Sequence, residues 1–338
     1  MMPDIIALAP APPEADWRAA LRDLVTSADT LLDYLQLQPE QVGWSPQAAS
    51  DFPLRVPRDF MRRMVIGDPA DPLLLQVLAG RQELLASSGF GPDPIGETGT
   101  ANPQPGIIHK YHGRLLLLVT GSCAIHCRYC FRRHFPYSDN QNSRSEWPAA
   151  LQYIAADDSI SEVIFSGGDP LVASDRQLAE LVGQLAAIPH VTRLRIHTRL
   201  PVIIPQRVTD SLLEALTDSR LATVMVVHSN HANEIDEEVA AAFGRIRKTG
   251  MVLLNQSVLL AGINDNAAVL AALSERLFLA GALPYYLHLL DKVAGAAHFD
   301  VDESRAKALH REISTVLPGY LLPKLVREIA GAPAKVPV

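Results

Sequence analysis

Cysteine is nearly absent from this 338-residue sequence, and its three cysteines are confined to positions 123–130. An odd and clustered set of this kind argues against a disulfide framework as the basis of the fold. A basic excess is missing as well, because 30 Lys and Arg residues are outnumbered by 37 Asp and Glu residues. The net charge of −7 argues against a general nucleic-acid-binding protein, which needs a basic face to neutralise phosphates.

Long hydrophobic runs are also lacking. The two most apolar stretches, residues 115–119 and 277–290, fall short of the about 20 apolar residues that cross a bilayer, and the second contains Pro284 and His288. The first residues carry no basic segment ahead of an apolar one, and Asp4 comes early, so a secretory signal is not expected. These absences favour a cytoplasmic protein that does not act on membranes.

Three regions differ in their residue patterns. Residues 1–90 form an N-terminal region with apolar residues at helical spacing, and helices are expected over 16–37 and 72–86. Residues 91–106 are Gly or Pro at eight of sixteen positions, which predicts a linker or an extended wrap. Residues 107–338 alternate between strand and helix patterns and are expected to form the core.

Six strand–helix units follow one another in this third region. The predicted strands are 114–119, 163–165, 194–197, 222–227, 252–258 and 284–290. The predicted helices are 147–155, 175–187, 209–216, 234–248, 266–279 and 302–316. Such alternation predicts an α/β fold with a parallel sheet and right-handed crossovers. Six units are too few for a closed eight-stranded barrel, so a partial barrel or a doubly wound sheet is expected, with its site at the carboxyl ends of the strands.

Polar clusters lie at the carboxyl end of each of these strands or directly after it. They are the cysteine segment 121–135, SGGDP at 166–170, HTR at 197–199, HSNH at 228–231, NQS at 255–257 and DK at 291–292. Because the carboxyl ends of parallel strands meet at one edge of a sheet, we expect these clusters to share one site.

The cysteines have the spacing C-x3-C-x2-C, with Cys123, Cys127 and Cys130 on one short segment. Thiolates suit iron–sulfur clusters and zinc. Three thiolates can hold three irons of a four-iron cluster and leave the fourth iron open for another ligand. Two alternatives remain open: a Cys3His zinc site that uses His126 or His134, or three small buried side chains with no ligand.

The stretch CAIHCRYC resembles the cluster loop of the radical S-adenosylmethionine (radical SAM) superfamily, and SGGDP resembles the segment that receives the methionine amine. The resemblance implies a partial (β/α)6 barrel of the radical SAM type with an N-terminal helical segment. It also implies a [4Fe–4S] cluster on the three cysteines, an external electron donor and S-adenosyl-L-methionine on the open iron. Gly167 and Gly168 would let backbone approach a ligand closely, and Asp169 would orient the ammonium group of the methionine.

A narrower resemblance covers most of the chain from about residue 107 onwards. RLLLLVTGSCAIHCRYCFRRHF, NHANEID, LLNQSVLLAGIND, PYYLHLLD and GYLLPKLVREIAGAPAK all resemble lysine 2,3-aminomutases. CFRRHFPY, LRVPRDF and HKY are most similar to the branch that supplies β-lysine for the modification of elongation factor P. The resemblance implies an isomerase that converts L-lysine into β-lysine and a lysyl-tRNA-synthetase-like ligase that consumes the product.

The resemblance also implies pyridoxal 5'-phosphate as a cofactor. The family carries it on a lysine in a glycine-rich segment near the C-terminus, and the matching residue is Lys335, although Ala and Pro replace some glycines here. Lys110 stands where the family has an arginine near the cofactor phosphate, and it can act there as a point charge. Gln256 matches a polar residue near the adenosylmethionine.

Substrate contacts are implied for three further residues. Arg132 matches the arginine that binds the substrate carboxylate, and Asp291 matches an aspartate that binds the distal ammonium group. Glu328 stands where the family has a second aspartate. Radical aminomutases for glutamate or ornithine remain alternatives, and the acidic pair argues against glutamate. A non-catalytic iron–sulfur or zinc protein that binds a translation partner also remains open.

Overall fold

The structure, a computed structural model, describes residues 16–140 and 147–338. Residues 1–15, on which part of the argument about a secretory signal depends, lie outside this range. Among the described residues, no helix is both long enough and apolar enough to cross a membrane.

The N-terminal region is built from short helices. They are α1 (Trp17–Arg22), α2 (Ala28–Leu35), α3 (Pro46–Ser50), α4 (Arg58–Met61) and α5 (Pro72–Leu75), followed by a 3-10 turn at Arg81–Leu84. The single helix expected over 16–37 is therefore wrong, because Val25 pairs with Val56 as an isolated β-bridge and Ser27 caps the start of α2. The helix expected over 72–86 is also too long, since the chain leaves α5 to pair Gly80 with Trp44.

The rest of the described chain is built around one nine-stranded sheet. Its strands lie in sequence order. They are β1 (Ile107–Tyr111), β2 (Arg114–Thr120), β3 (Glu162–Gly167), β4 (Arg193–Thr198), β5 (Ala222–His228), β6 (Val252–Val258), β7 (Leu283–His288), β8 (Lys324–Arg327) and β9 (Val336–Pro337). Strands β2 to β8 run parallel, whereas β1 and β9 are antiparallel to their neighbours.

Helices follow the parallel strands as expected from the sequence. They are α6 (Trp147–Ala155), α7 (Asp175–Ala186), α8 (Leu200–Ile203), α9 (Asp210–Thr217), α10 (Glu237–Lys248), α11 (Ala267–Ala280) and α12 (Glu303–Ser314). All six predicted strand–helix units are present, which confirms the α/β fold and the partial barrel. The sequence patterns missed β1, β8 and β9; β8 has only two apolar residues, Leu325 and Val326, and β9 only two residues in all.

Side chains join the two ends of the sheet, although β1 and β9 are not paired with each other in the described chain. The hydroxyl of Tyr111 on β1 donates to Glu328 Oε1, just beyond β8, at 2.8 Å. Lys110, also on β1, makes an ion pair with the same carboxylate. The sheet therefore curves far enough to bring its first strand beside its last parallel strand.

The N-terminal helices belong to the same apolar core as the barrel. Leu31, Phe60 and Leu73 are fully buried in one cluster with Leu117 of β2 and Phe165 of β3. This packing removes a large apolar surface from water and holds the N-terminal region against the sheet. Segment 91–106 contains no helix or strand, but it is packed as well, since Ile95 and Glu97 within it are buried.

Candidate active site

The cysteine segment, residues 121–135, is joined by backbone contacts to the segment that follows β3. The N–H of Gly168 donates to Thr120 O at 2.7 Å, and the N–H of Asp169 donates to Ser122 O at 2.9 Å. A Cβ atom at Gly167 would lie 2.3 Å from Thr120 O, and one at Gly168 would lie 2.3 Å from Ser122 O. The two glycines thus permit an approach of protein backbone to protein backbone, and not only to a ligand as expected from the sequence.

The N-terminal region holds the other side of the same segment. The guanidinium of Arg128, which is fully buried, donates to both carboxylate oxygens of Glu83 at 2.8 and 2.6 Å and to Ala48 O at 3.0 Å. Its backbone N–H donates to Gln76 O at 2.8 Å. Two parallel hydrogen bonds to one carboxylate fix a guanidinium in its plane. The cysteine segment is therefore positioned by the protein from both sides.

Asp169 is fully engaged by the protein. Its carboxylate accepts hydrogen bonds from Thr198 Oγ1 at 2.7 Å, from the N–H groups of Arg199 and Leu200 at 2.7 and 3.0 Å, and from that of Leu171 at 3.1 Å. Burial raises its pKa, and these hydrogen bonds oppose that rise. These contacts join the end of β3 to the end of β4. The expected role of Asp169 in orienting the methionine ammonium group stays a prediction.

Arg132 lies buried in an ion pair that the sequence patterns did not indicate. Its Nε and Nη2 donate to the two carboxylate oxygens of Glu97 at 2.6 and 2.9 Å, and its Nη1 donates to Ser166 Oγ at 2.9 Å. Burial by itself would lower the pKa of Arg132. The Glu97 carboxylate raises that pKa, so the side chain stays a cation. No residue pattern in the Gly/Pro-rich segment marks Glu97 as a contact, and only the tertiary structure brings it to Arg132.

Glu328 contacts both lysines that the resemblance assigned to the cofactor. Its Oε2 accepts from Lys335 Nζ at 2.6 Å, and its Oε1 contacts Lys110 and Tyr111. Burial favours the neutral form of Glu328, but the two lysine cations hold its pKa well below its usual range. The structure therefore brings Lys335, Lys110 and Glu328 together, and their roles toward cofactor and substrate stay predictions.

Asp291 is close to this group but differs in its contacts. Its side chain makes no hydrogen bond or ion pair with any residue that the structure describes, and it is half-buried. Burial raises the pKa of Asp291 to about 7, the charge of Glu328 adds to the rise, and Lys335 opposes it. This carboxylate is thus free to receive a cation, and a cation beside it would favour its charged form.

Three histidines line the strands beside Lys335. Gln256 Nε2 lies 2.7 Å from His228 Nε2, whereas the buried Nε2 atoms of His197 on β4 and His288 on β7 have no partner in the described part of the chain. Burial and the neighbouring cations Arg199 and Arg132 lower the pKa of His228 to about 3. Burial also lowers the pKa values of the other two rings, so all three stay neutral near pH 7. The sequence did not single out His288, since one histidine in a strand carries no signal.

Comparison with known proteins decides the family. A family model described as the radical SAM superfamily matches residues 117–273. The L-lysine 2,3-aminomutase of Escherichia coli K12 is 52% identical over 97% of this chain and 95% of its own length. The chain belongs to the lysine 2,3-aminomutase family. The L-lysine 2,3-aminomutase of Clostridium subterminale is more distant, at 33% identity over 96% of this chain and 77% of its own length.

Membership of the lysine 2,3-aminomutase family confirms the predicted enzyme class, an isomerase of the radical SAM type. It likewise confirms the predicted [4Fe–4S] cluster and S-adenosylmethionine as cofactors. Burial raises the pKa of the Cys123 thiol and raises that of Cys130 to about 11, so the deprotonated ligands need a cationic group to balance them. A cluster bound to the cysteine segment would supply that balance.

Family membership favours this cluster over a single zinc ion. Among residues 16–140 and 147–338, no three Cys, His, Asp or Glu side chains lie close enough together to share one metal ion. A four-iron cluster does not need such closeness, because each thiolate binds a different iron. Each of the two histidines considered as zinc ligands contacts a backbone carbonyl through one ring nitrogen: His126 Nδ1 lies 2.8 Å from Pro53 O, and His134 Nε2 lies 3.2 Å from Ala294 O.

Proposed function

We propose that this protein moves the amino group of L-lysine from C2 to C3 to form β-lysine, with pyridoxal phosphate attached to Lys335. The observation that carries the proposal is the pairing of Glu328 with an ammonium group. Lys335 Nζ already lies 2.6 Å from Glu328, and Asp291 nearby has no cation of its own among the described residues. An acidic pair of this kind suits the distal ammonium group of lysine and would repel the distal carboxylate of glutamate.

The residues around Lys335 fit pyridoxal phosphate. The unpartnered Nε2 atoms of His197 and His288 need polar ligand atoms, because buried polar groups are normally hydrogen-bonded. Lys110 would balance the phosphate charge, and Lys335 would supply the amine that the cofactor requires. When bound, the three cofactors supply a carbon-centred radical that removes hydrogen and a conjugated ring that stabilises the unpaired electron beside the migrating nitrogen.

The chain itself places the substrate. Arg132 would hold the carboxylate of lysine through its planar guanidinium, while Asp291 and Glu328 would hold the far ammonium group. Holding both ends fixes C2 and C3 relative to the cofactors, which lowers the entropic part of the barrier. The neutral histidines and the curved sheet would exclude water, so the radical meets no competing donor. Gln256, which contacts His228, would also contact the adenosylmethionine.

The test is an anaerobic assay of protein reconstituted with iron, sulfide and pyridoxal phosphate, supplied with S-adenosylmethionine, a strong reductant and L-lysine. Chromatography should show β-lysine with the natural protein. A Lys335→Ala variant should lose the visible absorbance of bound pyridoxal phosphate and all turnover while keeping its iron. Lys324→Ala, on the exposed side of β8, is the matched control and should keep both.

Two results would contradict the proposal. Cleavage of adenosylmethionine without any change in lysine would leave the radical chemistry intact and remove the substrate assignment; L-ornithine would then be tested in the same assay. A Lys335→Ala variant that kept its absorbance and its turnover would remove the assignment of the cofactor lysine. Equal iron content in all variants shows that the comparison is between equally loaded proteins.

The product would serve the modification of elongation factor P in the cytoplasm, through a lysyl-tRNA-synthetase-like ligase. This part of the proposal is supported by the likeness of CFRRHFPY, LRVPRDF and HKY to the branch that has this role. Purified elongation factor P, the ligase and this enzyme with its external electron donor should together yield elongation factor P heavier by one lysyl unit. An equal mass gain from L-lysine without the enzyme would contradict it.

A further inference from the structure

Glu97 is a buried carboxylate to which the proposed reaction gives no role. It belongs to the Gly/Pro-rich segment 91–106, and only 3% of its surface is exposed. Hydrogen bonds and backbone geometry within the segment fix the position of Glu97. The N–H groups of Glu97 and Thr98 each donate to the Asp93 carboxylate at 2.9 Å, and Gly96 adopts a φ of 65° that favours glycine. The loop therefore presents Glu97 to the interior in one orientation.

The partner of Glu97 is the proposed substrate-binding arginine. The two carboxylate oxygens take Nε and Nη2 of Arg132, and Ser166 takes Nη1. These contacts fix the plane of the guanidinium, while the second N–H of Nη2 has no acceptor among the described residues. Both side chains of the ion pair also border a pocket of about 140 Å³, whose other lining residues belong to segments 92–98 and 131–135.

Glu97 also connects the two ends of the proposed substrate site. Lys110 Nζ lies 3.8 Å from Glu97 Oε1, and Lys110 pairs in turn with Glu328, which binds Lys335. Arg132, Glu97, Lys110 and Glu328 therefore form a row of alternating charges. Such a buried row resists the removal of any one member, because the neighbouring charge would be left unpaired.

We propose that Glu97 is a positioning residue that selects the substrate by its length. It holds the Arg132 guanidinium in one plane and, through Lys110, sets the separation between the carboxylate-binding end and the ammonium-binding end. L-lysine spans that separation and L-ornithine, which is one methylene shorter, does not. The inference rests on the proposed function, since it takes Arg132 and Glu328 as the two ends of a lysine site.

The test uses Glu97→Gln, which keeps the shape of the side chain and removes its charge. Equilibrium dialysis on protein loaded with cluster and pyridoxal phosphate, without adenosylmethionine or reductant, measures binding without turnover. The dissociation constant for L-lysine should rise at least tenfold, while that for L-lysinamide, which lacks the carboxylate, should change little. In turnover assays, KM for lysine should rise with little change in kcat, and the preference for lysine over ornithine should fall several-fold.

Two further variants separate positioning from folding. Glu97→Asp keeps the charge and should recover part of the lysine affinity, and it remains informative if Glu97→Gln folds poorly. Glu83→Gln removes a comparable buried carboxylate that pairs with Arg128 and Arg133, neither of which is a proposed lysine contact. It should lower stability without changing the ratio of lysine to ornithine turnover.

The outcomes that would overturn the inference differ from those that would overturn the proposed function. Tighter lysine binding by Glu97→Gln would mean that Glu97 competes with the substrate for Arg132. Equal weakening for lysine and lysinamide would mean that Glu97 only supports the fold. If the natural protein neither binds nor converts lysine, the proposed function itself fails, whatever Glu97 does.

Discussion

The two regions that meet at the site, the cysteine segment 121–135 and the C-terminal segment 328–338, are held in different ways. Backbone hydrogen bonds at Gly168 and Asp169 and the buried Arg128 fix the cysteine segment. The C-terminal segment is attached by the two-residue strand β9 and by the ion pair between Lys335 and Glu328. Residues 329–331 within it are exposed.

This difference matches what each region would have to do in the proposed reaction. Three cluster ligands would have to be in place before the cluster binds, and the backbone contacts around Gly167 and Gly168 hold their segment in one shape. Lys335 would carry the cofactor until the substrate amine takes its place. The distal ammonium group of lysine would then pair with Glu328, where the ammonium group of Lys335 lies in this structure.

The largest effect is expected from a break in the rigid region. Gly168→Ala would place a methyl group 2.3 Å from Ser122 O, where backbone has to give way. Overpacking of this kind costs roughly 1–3 kcal/mol, so iron incorporation should fall about 5- to 150-fold. Iron analysis and the visible spectrum after reconstitution measure it, and pyridoxal phosphate binding at Lys335 should persist if the two regions are independent.

A glycine without close neighbours provides the control. Gly183 lies exposed in α7, and an added Cβ there would meet nothing within 4 Å. Gly183→Ala should raise the free energy of unfolding by roughly 0.5–1 kcal/mol and leave iron content unchanged. Equal iron content in the two alanine variants would show that the close approach at Gly168 is dispensable for cluster binding.

The same contrast explains how much could be predicted from the sequence. The six strand–helix units follow from apolar periodicity, and the cysteine spacing carries enough chemistry to indicate a cluster. Lys335, Arg132 and Asp291 came from resemblance and not from local pattern, because a lone lysine near a C-terminus or a lone arginine carries no signal. Which side chains meet across the barrel is set by tertiary packing, which leaves no trace in a local pattern.

Two contacts show where prediction from the sequence ends. Glu97 reaches Arg132 from a segment read as a linker, since Gly and Pro content reports backbone shape and says nothing of a buried carboxylate. Asp169 was expected to bind a ligand, yet it accepts hydrogen bonds from Thr198 and from the turn after β4. In both cases the tertiary structure determined the partner of the side chain.

The pH dependence of substrate binding tests the C-terminal segment separately from the cysteine segment. Burial and the charge of Glu328 raise the pKa of Asp291 to about 7, and only its ionised form attracts an ammonium group. KM for lysine should therefore fall as the pH rises through about 7, and below that pH it should increase about tenfold per unit. Steady-state assays between about pH 5.5 and 8.5 measure it.

Two variants test the origin of that profile. Asp291→Asn should raise KM and remove the inflection, because no titrating carboxylate is left. Glu328→Gln removes one cause of the raised pKa, so the inflection should move to lower pH. An inflection that stays at the same pH in Asp291→Asn would assign the titration to another group. Iron content should be the same in all three proteins, since none of these changes contacts the cysteine segment.

The smallest expected effect comes from Tyr111, whose hydroxyl donates to Glu328 at 2.8 Å from the opposite end of the sheet. Tyr111→Phe removes one hydrogen bond to a charged acceptor. Such bonds are worth roughly 1.5–3 kcal/mol, and the low end applies here because Lys110 and Lys335 still pair with Glu328. KM for lysine should thus rise roughly tenfold at most, and the two lysines would still hold Glu328 in place. Cluster content should not change. A parallel loss of iron would show that the contact between β1 and Glu328 also shapes the cysteine segment. The cysteine segment and the C-terminal segment would then not be independent of each other.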